Sequence, residues 1–157
     1  MELLKQKMTQ ESYLDVDWFG VDIHGHVAIV ASGGGMIPTT VSSFREKWDS
    51  LSVYFRSLPK ITDIVIQPAI YEKISSLDAA AKSRYLKDVE LLTSKGLYYF
   101  DKSDLSNYFN FEYYLKARPV LPLQKNQISA DILRMISNTR IEINFNLDDS
   151  FFVDKVS

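Results

Sequence analysis

The sequence predicts one α+β domain with a mixed, mostly antiparallel sheet, an N-terminal β-hairpin and about three helices. Three observations carry this. Short apolar runs with strand character alternate with segments of helical periodicity, in the order β-β-α-β-α-β-β-α-β. The stretch from Asp15 to Pro38 places two strand-like runs on either side of Asp22-Ile23-His24-Gly25, a turn with aspartate first and glycine last. No repeat, low-complexity tract or linker divides the 157 residues, a length that supports a single core.

Residues 1–12 read as a short helix or a loose arm. Residues 16–22 and 26–32 form the hairpin, and the second strand is apolar on both faces, which suits a central position. Pro38 precedes a helix whose start is marked by Ser43 and Glu46 in capping-box spacing. Phe44, Trp48, Leu51, Phe55 and Leu58 form its apolar stripe, and Pro59 ends it. A strand at 61–67 stops at Pro68, and residues 69–95 are helical in one or two pieces, closed by Gly96. Strands follow at 97–100 and 108–117, then an extended connector containing Pro119 and Pro122. A helix at 126–137, an alternating strand at 140–147 and a strand or tail at 150–156 complete the chain.

Composition removes several function classes. The formal charge is −2, so no basic excess points to nucleic acid or an anionic membrane. Without cysteine there is no disulfide, thiolate zinc site or thiol nucleophile. No apolar run is long enough to span a bilayer, and the polar start lacks the core of a secretory signal. A cytoplasmic, bacterial-type protein is the expectation.

Each candidate site has a plainer structural reading. His24 and His26 sit two apart with Asp17 and Asp22 nearby, but these are the only histidines, so metal is not expected and water-exposed turn residues are. Gly33, Gly34 and Gly35 lie between a strand and a helix, where backbone N–H groups can hold an anion. The helix that follows opens Ile37-Pro38-Thr39-Thr40, not the Gly-Lys-Ser/Thr of a phosphate loop. Asp15 and Asp17 line the polar side of a strand rather than a paired-carboxylate site. The aromatic run from Tyr108 to Pro119 suits core packing with a partly exposed tyrosine row, since only Lys116 and Arg118 accompany it. Asp101, Asp104, Asp148, Asp149 and Asp154 are candidates for an acidic surface patch. Catalytic, cofactor and metal residues are therefore none on this reading.

Trp18-Phe19-Gly20-Val21-Asp22, Gly25-His26-Val27-Ala28, Ser32-Gly33-Gly34-Gly35 and Pro38 together resemble the opening of a group of small bacterial proteins. Some of that group look like immunity proteins encoded beside polymorphic toxins. Tyr114 and Arg118-Pro119-x-x-Pro122-Leu123 resemble a second element of the group, although Asn126-Gln127-Ile128 stands where a leucine-proline helix start belongs. The resemblance covers about half the chain and rests on structural residues. It implies a stoichiometric protein-binding module that occludes a toxin domain, with no enzymatic activity and no cofactor. The alternative is a small-molecule- or phosphate-binding domain, enzymatic or not, using Gly33–Gly35. A partner with exposed basic surface would suit the mild acidity, and the expected contact surface combines tyrosines with acidic residues on strand 108–117 or beside the hairpin.

Overall fold

A computed structural model describes residues 15–33, 37–102 and 112–157. The arm at 1–12, Gly34, Gly35, Asp104 and the stretch Tyr108–Phe111 lie outside the described residues. The described chain is an α+β fold with helices and a mixed sheet, as its element order predicts. Among the described residues there are five α-helices, of which three are longer than six residues, in line with the about three expected, and the other two are short pieces.

The hairpin is β1 (Asp17–Val21) and β2 (Val27–Ala31), paired antiparallel. Its turn closes with the Gly25 amide donating to the Asp22 carbonyl at 3.1 Å, and Gly25 adopts φ +81°. Glycine is the residue that accepts this left-handed geometry without steric cost. The apolar β2 is central: β4 (Tyr98–Lys102) lies parallel to it on the side away from β1. Next to β4 comes β5 (Glu112–Pro119), whose outer edge is shared by β3 (Ile64–Ile66) and β6 (Ser150–Phe152).

Between β2 and β4 the chain forms α1 (Thr39–Ser42), α2 (Trp48–Ser57), β3, α3 (Pro68–Lys73) and α4 (Ala79–Thr93). The helix expected to begin at Ser43 and Glu46 has no such cap. Pro38 instead starts α1, and a 3₁₀ turn at Arg45–Lys47 separates it from α2. As a result Phe44, on the expected apolar stripe, is 39% exposed, whereas Leu51 and Phe55 are buried. Asp78 caps α4 by accepting from the Ala81 amide at 2.8 Å. Gly96, with φ +98°, ends that helical run as expected.

The sheet buries both faces. Phe19, Val27, Ile29, Leu97 and Tyr99 pack against Leu51 and Phe55 of α2, Val89 and Leu92 of α4, and Ile132 and Ile136 of α5 (Ala130–Ser137). On the other face Trp18, Val30, Phe100, Tyr113 and Leu115 meet Ile37, Val41, Ile141, Phe145 and Phe151. Aromatic rings fill that second layer in mixed geometries: the Trp18 and Tyr113 centroids are 5.9 Å apart at 88°, and Tyr113 stacks on Phe151 at 5.5 Å.

The alternating strand expected at 140–147 is not formed. Arg140 and Ile141 make single bridges to Val21 and Val156, after which the chain turns. The Asn144 amide donates to Asp148 Oδ2, the Asn146 amide to Asn144 Oδ1, and the Leu147 and Asp148 amides to the Asn144 carbonyl. Side-chain acceptors of this kind offer the backbone an alternative to the ladder. Phe145 remains buried, but Leu147, expected inside, is 78% exposed.

Candidate functional site

The most site-like arrangement lies at the outer edge of β5, where β3 and β6 meet it end to end. The register of β4 and β5 passes from Tyr99 opposite Ala117 to Phe100 opposite Leu115, so Lys116 is an extra residue in β5. Such a bulge re-aims a side chain. Here it turns Lys116 onto the helix-covered face, 2.6 Å from Asp101 Oδ2 and 4.2 Å above the Tyr85 ring of α4. Both charges are largely shielded from solvent. Burial pulls the Lys116 ammonium pKa down, but attraction and hydrogen bonding from Asp101, with Tyr85 contributing, hold it above its ordinary value.

Tyr114 lies opposite Asp101 in the register. Its hydroxyl accepts from Lys73 Nζ of α3 at 3.0 Å. Burial raises the Tyr114 pKa against the pull of Lys73 and Lys116. The ring is half-buried beside Ile70, Ile74 and Leu86, with its hydroxyl bonded to the exposed Lys73. It borders an open recess of about 440 Å³ whose other walls include Glu112, Gln67, Ala69, Asp149 and Ser150. Phe152, opposite Glu112 on β6, is 52% exposed beside it. Asp149 is oriented by Arg118, whose Nη2 lies 2.8 Å from its Oδ1.

The other predicted candidates disperse. Asp22 is buried, and its carboxylate is occupied by backbone: Oδ1 accepts from the His24 and His26 amides at 2.9 Å, and Oδ2 from the Phe145 amide at 3.0 Å. His26 is not a freely exposed turn residue, because its ring stacks on Tyr98 with centroids 5.8 Å apart. His24 is exposed, with Nε2 3.3 Å from Asn144 Nδ2. Among the described residues, no group of three or more His, Asp or Glu side chains could hold a metal ion.

Asp17 sits at the opposite end of β1 from Asp22 and meets Arg56 Nη2 at 3.4 Å, while Arg56 Nη1 reaches Asp88 at 3.1 Å. Burial raises the Asp17 carboxyl pKa, Arg56 opposes the shift, and Asp88 and Asp15 add to it. The expected acidic patch loses a member: Asp101 is buried on Lys116, while Asp148, Asp149 and Asp154 are exposed. Of the site features, Glu112 and the Lys73–Tyr114 and Lys116–Asp101 pairs escape sequence reading. They depend on the bulge and on contacts distant in sequence.

No family model matches the chain, and no curated protein or solved structure matches it. No helix among the described residues is long and apolar enough to cross a membrane.

Proposed function

We propose that the chain is a non-enzymatic binding module that caps another protein, as an immunity protein neutralises a cognate bacterial toxin by occlusion in the cytoplasm. The observation that carries this reading is the recess on β5. Tyr114 presents a half-buried ring packed beside Ile70, Ile74 and Leu86, flanked by the carboxylates of Glu112 and Asp149, with Phe152 exposed alongside. A rigid aromatic with adaptable polar neighbours provides contact area at low entropic cost.

The surrounding chemistry agrees with binding. Asp22 satisfies backbone amides, Asp101 pairs with Lys116, and Arg56 bridges Asp17 and Asp88. These groups are committed to holding the fold. Occlusion asks only for a stable surface of the right shape, which such a network provides.

Co-expression with the product of the neighbouring gene tests the proposal. Growth of a bacterial host should be restored when that product is toxic, and the two purified proteins should form a one-to-one complex. Continued toxicity with no complex would contradict the immunity reading.

A further inference from the structure

We propose that the outer edge of β3 is a strand-addition site, taking a short extended peptide segment of a partner as the next strand of the sheet. This is the side of β3 that faces away from β5, and the inference does not depend on toxin capping.

The hydrogen-bond phase of β3 identifies the groups that face outward. The Val120 amide donates to the Asp63 carbonyl at 2.9 Å and the Gln67 amide to the Lys116 carbonyl at 2.8 Å. The pairs 63/120 and 67/116 are therefore hydrogen-bonded rungs, and Val65 opposite Arg118 falls on the rung between them. Ile64 and Ile66 fall on the alternate rungs, so their N–H and C=O groups point away from β5. Among the described residues no strand pairs with that edge. Two residues thus offer two donors and two acceptors at strand spacing, in an order that an added strand can match.

The side chains beside this edge suit the same occupant. Towards the helices, an open recess of about 460 Å³ is bounded by Ile64, Ile66 and Tyr71 together with the polar Lys60, Asp63 and Glu90. Tyr71 is 54% exposed there. On the opposite face, Val65 and Val120 are 49% and 56% exposed. An added strand sends alternate side chains to opposite faces. One set would meet Ile66 and Tyr71 and the other Val65, so both faces of an apolar, β-branched segment find contact. A loop or helix could not use the outward backbone groups in this order.

The test is an NMR titration of the full, ¹⁵N-labelled chain with an acetylated, amidated hexapeptide of alternating valine and threonine. A second peptide carries N-methyl groups on alternate amides and cannot complete the ladder. The amides of Ile64 and Ile66 should shift and exchange more slowly with the first peptide, and the methylated one should bind about tenfold more weakly or worse. Ile64→Pro removes one outward N–H without breaking a rung to β5. It should weaken binding while the amide spectrum elsewhere stays native. Equal binding of both peptides, shifts confined to other surfaces or no binding would overturn the proposal. So would protection of the same amides on concentrating the protein alone, since the occupant would then be a second copy.

Discussion

The Asp22 carboxylate accepts a hydrogen bond from the Phe145 amide, a residue 123 positions further on. One side chain thereby closes the hairpin turn and fixes the turn that buries Phe145. The carboxylate also serves the His24 and His26 amides, so its removal leaves three donors to be satisfied at once. Asp22→Ala should destabilise the fold by about 3 kcal/mol, on the scale of leaving buried polar groups without partners. Asp22→Asn, which keeps one acceptor oxygen, should cost less. Urea unfolding of both variants checks the order, and an Asn variant as damaged as the Ala variant would contradict it.

Gly25 lies in the same turn at φ +81°. A Cβ there would also meet the Lys125 side chain. That lysine end can move aside, so backbone strain sets the cost. Gly25→Val should therefore destabilise by about 1–3 kcal/mol. Truncating Lys125 to alanine in the same chain should recover little of that loss, which a paired denaturation experiment measures.

The Lys116–Asp101 pair makes a different prediction. Lys116→Met leaves Asp101 as a buried carboxylate without its cation and should cost about 3–5 kcal/mol. Adding Asp101→Asn should restore a substantial part, because two neutral groups can share the space. Additive losses in the double-mutant cycle would show that the two side chains do not act as a unit.

Asp17 predicts a pH dependence. Its carboxyl pKa is raised by burial against the opposing pull of Arg56. The folded state therefore holds a proton more tightly than the unfolded state does. The resulting contribution is fully present below the unfolded value of 3.8 and is lost as pH rises through the folded one. The stability of wild type minus that of Asp17→Asn should fall across this window and then level off. Denaturant titrations at a series of pH values measure it, and a difference that rises with pH would have the wrong sign.

The legible parts of the fold are those governed by local chemistry. Asp22 and Gly25 specify the hairpin turn, β2 is apolar on both faces and central, and Gly96 closes the helical run after α4. Residues 140–147 mislead because Ile141, Ile143 and Phe145 alternate as strand residues do, while the Asn144 and Asp148 side chains bind the local backbone and turn it. Ser43 and Glu46 have capping-box spacing, but Pro38 begins the helix earlier. At the site, the tyrosine strand and Asp149 are visible in the sequence. The bulge that brings Lys116 to Asp101 is a matter of register between strands, and no local pattern encodes it.

The face around Tyr114 is the proposed binding surface for a partner protein. The most direct measurement is a calorimetric titration of the neighbouring gene product with wild type and Tyr114→Ala, each paired with a thermal melt. Tyr114→Ala should weaken binding by about 2 kcal/mol or more, as interface anchors do. Tyr114→Ala also loses ring packing beside Ile70, Ile74 and Leu86, so the melting temperature should fall, and the melt serves to show that the variant is folded at the titration temperature. Undiminished affinity in a folded Tyr114→Ala protein would contradict this role for Tyr114.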